Sequence, residues 1–80
     1  MENEILNRIT VIPGLMGGKP TIRAMRFTVN DILELLANGV SKEEILEDFP
    51  YIEEDDIKAC LLYAAQKTNH PVIKVELNAA

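Results

Sequence analysis

Eighty residues, 48% of them hydrophobic and 26% charged, leave room for one small domain of ordinary globular composition, 1–80. That composition excludes a disordered or collagen-like chain. A single cysteine excludes an intrachain disulfide framework, and one Cys with one His cannot build a zinc cage. The formal net charge of −5 argues against a general nucleic-acid binder that works by neutralising phosphates.

Charge is unevenly spread. Residues 1–30 carry Arg8, Lys19, Arg23 and Arg26 against Glu2 and Glu4, a balance of +2. Residues 31–56 carry ten acids and only Lys42, a balance of −9. A basic arm therefore precedes an acidic body. The opening MENEILNRITVIP has no apolar block of the kind a secretory signal needs, and the longest apolar run, Ala59 to Ala65, is far short of a bilayer span. The expected compartment is the cytoplasm.

In chain order, Ile9-Thr10-Val11-Ile12 is β-branched and ends in the turn signal Pro13-Gly14, which predicts a short strand. Residues 13–20 hold three of the four glycines and two of the four prolines, so they form a loop. Thr21-Ile22-Arg23 and Arg26-Phe27-Thr28-Val29 alternate apolar with polar and predict one or two further short strands. The arm thus spans 9–29. Helical spacing begins at once, with Asn30 as the predicted N-cap, Ile32, Leu35 and Leu36 on one face, and Asn38-Gly39 as the stop. Ser41 and Glu44 form a capping box for a second helix that Pro50 terminates. A third helix starts within Glu53 to Asp56 and runs to about Thr68, completing a trihelical core over 31–69. Val72-Ile73-Lys74-Val75-Glu76-Leu77 alternates and predicts a C-terminal strand over 72–77.

The third helix has more apolar surface than one face can use. Ile57, Leu61, Ala64 and Thr68 make one stripe with Cys60 beside it, while Ala59, Leu62 and Tyr63 lie on other faces. A helix apolar all round is buried all round. Either the strands or a second chain must cover it, and a chain this short gains core by association. A homodimer is expected, with Ala59, Leu62 and Tyr63 at the interface.

The chemistry-bearing residues do not assemble into a catalytic set. Gly17-Gly18-Lys19-Pro20 lacks the upstream glycine and the hydroxyl residue of a phosphate loop. Cys60 lies in an apolar run and His70, beyond the helix, precedes a proline, so no nucleophile–base pair is evident. The acids of 43–56 lack the alternation and glycine of a calcium loop and are read as a solvated face plus an acidic helix start. No enzyme, cofactor or metal is expected.

The basic arm has three readings: Lys19, Arg23 and Arg26 contact nucleic-acid phosphates, or dock on the acid-rich helices of this chain or a neighbour, or keep an edge strand soluble. Arg26 is expected to be the ordered one, because it adjoins the first helix.

The order Pro13-Gly14, Gly17-Gly18-Lys19-Pro20, Ile22-Arg23-Ala24-Met25-Arg26, Asp31-Ile32-Leu33-Glu34-Leu35-Leu36, Glu44-Ile45-Leu46, Phe49-Pro50 and Asp55-Asp56-Ile57-Lys58-Ala59 resembles domain-of-unknown-function family 433 over about residues 9–66. These are small bacterial and archaeal proteins of the helix-turn-helix superfamily. The family's usual Gly-Thr-Arg stands here as Ala24-Met25-Arg26. The resemblance implies a mostly α fold with short β-strands, a three-helix homeodomain-like core behind a β arm. It also implies an antitoxin that pairs with a PIN-like toxin. The alternative is a helix-turn-helix DNA-binding regulator that reads DNA with its third helix. Glu53, Glu54, Asp55 and Asp56 at the start of that helix would face a polyanion, which disfavours this use.

Overall fold

The structure is a computed structural model that describes residues 2–69. Among these residues the chain is mostly helical, with four α-helices and a two-stranded antiparallel sheet. A short helix α1 (Glu2–Leu6) leads into β1 (Ile9–Thr10). After a tight turn at Met16–Gly18, β2 (Thr21–Ile22) pairs with β1 in the register Ile9↔Ile22 and Thr10↔Thr21. The chain then doubles back. The Ile22 N–H donates to the Phe27 carbonyl at 3.0 Å, and Thr28 bridges Thr21. Of the stretches expected to be extended, 9–12 and 21–23 each contribute two residues of regular strand, whereas 26–29 contributes only the Thr28 bridge and its Val29 is helical.

Helices α2 (Val29–Ala37), α3 (Lys42–Asp48) and α4 (Glu54–Lys67) follow. The N-cap of α2 is Thr28, not Asn30. The Thr28 hydroxyl accepts from the Asp31 N–H at 2.9 Å, and the Thr28 N–H donates to Asp31 Oδ2 at 3.0 Å. This reciprocal box starts the helix earlier, so that Val29 enters the core. Asn30 instead donates through Nδ2 to Glu34. Gly39, at φ +89°, ends α2 as expected, with the Gly39 N–H on the Leu36 carbonyl and the Val40 N–H on the Leu35 carbonyl. The predicted Ser41–Glu44 box is also formed, with bonds of 3.1 and 2.9 Å.

Ile22, Phe27, Val29, Ile32, Ile45, Ile52, Ile57 and Cys60 form one core cluster shared by arm and helices. The face that α4 gives to it differs from the expected stripe. Asp56, Ile57, Ala59 and Cys60 are buried, whereas Leu61 is 48% exposed. The cause is the N-terminal segment. Both α1 and β1 pack on α4 and cover a flank that α2 and α3 leave open. Ala59, expected at a dimer interface, is 0% exposed within its own chain and cannot contact a partner directly. The predicted strand over 72–77 lies outside the described residues, as does His70. No helix of the described residues is long and apolar enough to cross a membrane.

Candidate interaction site

Residues Arg8 and Arg23 flank the paired strands at the same end, continuing the register that aligns Ile9 with Ile22. The Arg23 N–H donates to the Arg8 carbonyl at 2.7 Å. Two like charges facing each other across a ribbon are unfavourable unless an anion lies between them. Asp56 supplies it. Arg23 forks onto its carboxylate, Nε to Oδ1 at 3.0 Å and Nη2 to Oδ2 at 2.6 Å. Arg8 Nη1 reaches Oδ1 at 2.9 Å and Glu53 Oε1 at 2.8 Å. The Glu53 N–H completes the shell at 2.8 Å from Oδ2.

Asp56 belongs to the acidic helix start expected from the sequence, but it is 0% exposed. Burial alone pushes its carboxyl up. The hydrogen bonds from Arg23, from the Glu53 N–H and from Arg8 outweigh that and hold it below the ordinary aspartate value of 3.8. The ionised form has its lone pairs filled, the condition under which a buried carboxylate is tolerated. Position N3 of α4 turns this side chain back towards the arm, while its neighbours Glu54 and Asp55 remain in solvent.

The turn that carries Arg23 is strained. Arg23 and Ala24, the central residues of the turn closed by the Met25 N–H on the Ile22 carbonyl, have φ of +46° and +60°. Side chains other than glycine disfavour this left-handed region. The Ala24 N–H donates to Thr10 Oγ1 at 3.0 Å, which helps to fix the turn. A glycine at 24 would adopt that φ without cost from a Cβ.

Of the arm residues singled out from the sequence, Arg23 docks on the acidic body, whereas Lys19 and Arg26 are exposed and form no ion pair among the described residues. The expectation that Arg26 would be the ordered contact is therefore corrected. The left-handed turn sends Arg23 towards α4, while Arg26 stands exposed beside Phe27 and Tyr51. Arg8 and Asp56 were missed. The register of the two strands, once known, is the signal that would have exposed them. Leu62 and Tyr63 are half-buried on α4, and the Lys67 ammonium lies 5.2 Å from the centre of the Tyr63 ring. Cys60 is fully buried, and burial followed by the nearby Asp56 charge pushes its thiol up to about 12.

An open hollow of about 470 Å³ lies between α2 and the segment that follows α3. Phe27, Phe49 and Tyr51 form its aromatic side, with Phe27 and Phe49 edge to face at 4.9 Å and Tyr51 about 6.3 Å from Phe27. Arg26 closes one end, and Asp31 and Glu34 rim it from α2. A second hollow of about 430 Å³ shares Arg26, Phe27 and Tyr51 and adds Met25. The Tyr51 carbonyl accepts from Arg23 Nη2 at 2.9 Å, so the buried network also fixes the backbone beneath this surface.

Comparison with known proteins places residues 9–64 in a match to the family described as "Protein of unknown function (DUF433)". The chain is 34% identical over 56 residues to "Uncharacterized protein y4eO" of Sinorhizobium fredii (strain NBRC 101917 / NGR234). That alignment covers 70% of this chain and 25% of the relative, so the chain spans about a quarter of that protein. No solved structure is a significant match.

Proposed function

The chain belongs to the DUF433 family, and from that premise we propose that it is a non-catalytic interaction module of the antitoxin type, which self-associates and binds a PIN-like toxin in the cytoplasm. The observation that carries this reading is the use of the arm. Arg8 and Arg23 are committed to Asp56 within the fold, so half of the four cations of residues 1–30 are withdrawn from any outside anion. What the molecule presents instead is a half-exposed aromatic surface bordered by acids, with Tyr51 55% exposed. Tyrosine and arginine are the residue types that dominate protein–protein hot spots.

The helix-turn-helix DNA-binding reading, with α4 as the reader in a homeodomain-like arrangement, has less support. Glu54 and Asp55 are exposed in the first turn of α4, where a reading helix meets phosphates and base edges. Cations there could come from Lys58, one turn later and exposed.

Copurification from the native host, with identification of bound protein and nucleic acid, tests the proposal. The expected result is a PIN-like protein in stoichiometric complex, with its nuclease activity suppressed. Recovery of a defined DNA segment without any protein partner would replace this reading with the DNA-binding one.

A further inference from the structure

Resting on the protein-binding reading above, we infer that the hollow at Tyr51 receives an arginine side chain presented by a partner protein. Three observations converge on that chemistry. First, the rim acids Asp31 and Glu34 each accept a local hydrogen bond, from the Thr28 N–H and from Asn30 Nδ2, but form no ion pair among the described residues. Within the strongly acidic stretch 31–56, the single cation, Lys42, is already engaged with Glu54 at 2.7 Å. Arg26 at one end of the hollow supplies one positive charge against Asp31 and Glu34, so the hollow stays net negative; charge complementarity then asks for a cation from outside and disfavours a phosphate ligand.

Second, the aromatic side is arranged for a planar cation. Tyr51 is half exposed and stands edge-on to both Phe27 and Phe49, at centroid distances of 6.3 and 6.4 Å. A guanidinium can stack on an aromatic face while its edge donates to a carboxylate, which a lysine ammonium cannot do with one geometry. Third, the site is held in place before binding. The Tyr51 carbonyl is fixed by Arg23, and Phe27 is 6% exposed in the core, so little ordering cost is left for complex formation. The adjoining hollow at Met25 then takes an apolar neighbour of the incoming arginine.

The test uses the full chain and capped peptides of sequence Ala-Leu-Arg-Leu-Ala, with lysine and glutamate counterparts at the central position, followed by backbone-amide NMR. The arginine peptide is expected to shift the amides of Asp31, Glu34, Phe49 and Tyr51. The lysine peptide should bind about fivefold more weakly and the glutamate peptide not at all. Tyr51→Ala and Glu34→Gln, each checked for retained fold by circular dichroism, should each weaken the arginine peptide by about threefold or more.

Shifts that map elsewhere, equal response to arginine and glutamate peptides, or no response at millimolar peptide would overturn the inference. So would dilution-dependent shifts at these amides without peptide, which would make a second copy the occupant. Failure here is separable from failure of the broader reading. A native partner that still binds Tyr51→Ala and Glu34→Arg with unchanged affinity defeats the hollow while leaving the interaction module intact.

Discussion

Replacing Arg23 by alanine removes both hydrogen bonds of its fork on Asp56 and the bond to the Tyr51 carbonyl. Asp56 would stay buried with Arg8 as its remaining guanidinium. Breaking a buried pair by removing one partner costs about 3–5 kcal/mol and an exposed one about 0–1; with the Arg23 side chain 35% exposed and Arg8 still in place, Arg23→Ala should cost about 1–3 kcal/mol. Arg26→Ala, at an exposed position, should stay within about 0.5 kcal/mol. Urea unfolding of the two variants measures the difference, and equal stabilities would remove the network from its structural role. The same carboxylate sets an acid limit. Its folded pKa is depressed, so its stabilisation is complete above the unfolded value near 3.8 and is lost as pH falls through the folded value. Stability should therefore decline below about pH 4, and less steeply in Asp56→Asn, whose starting stability is lower. A parallel decline in both proteins would assign the acid limit to other groups.

At the scale of elements, the turn over 22–25 is where this sequence departs from local preference. Ala24 holds φ +60° because the Thr10 hydroxyl and the Ile22 carbonyl on either side of it fix the turn. Glycine there relieves the Cβ conflict, at some cost in unfolded-state entropy. Ala24→Gly should raise stability by about 0.5–1 kcal/mol, read as a higher urea midpoint at unchanged slope. A lower midpoint would mean that the turn is not strained in solution.

The helix frame was legible for the same kind of local reason. Ser41 with Glu44 and the Asn38-Gly39 stop announce themselves within four residues. What escaped needed distant geometry. Glu53, Glu54, Asp55 and Asp56 look alike as a string, and only the N3 position facing two arginines distinguishes the last. Arg23 and Arg26 are three residues apart, and a left-handed turn brings only the first onto Asp56. Helix α1 is five residues long with no strong apolar period, so nothing in its sequence separates it from a coil.

For the whole molecule, the arm answers part of the question that the apolar third helix posed. Ala59 is buried within its own chain, and what is left for a second copy is Leu61, Leu62 and Tyr63. The proposed self-association should therefore depend on Leu62 and Tyr63 but not on direct contact by Ala59. Light scattering at micromolar concentration is expected to give a dimer for the wild type and a monomer or aggregate for Leu62→Glu and Tyr63→Glu. A monomeric wild type would leave the exposed part of α4 without this explanation.

The contacts that close the arm onto Asp56 join residues 48 and 33 positions apart, whereas the helices that form the body follow one another through short links. Loop closure makes distant contacts slow to form and cheap to defer. The body can thus assemble first, with Asp56 still hydrated, and the arm arrives as a late latch that expels that water. Interactions absent from the folding barrier act chiefly on the way out. In stopped-flow kinetics Arg23→Ala should accelerate unfolding severalfold while refolding changes little, and the reverse pattern would make the arm the nucleus. The basic segment, on this view, governs how long the folded state lasts more than how quickly it is reached.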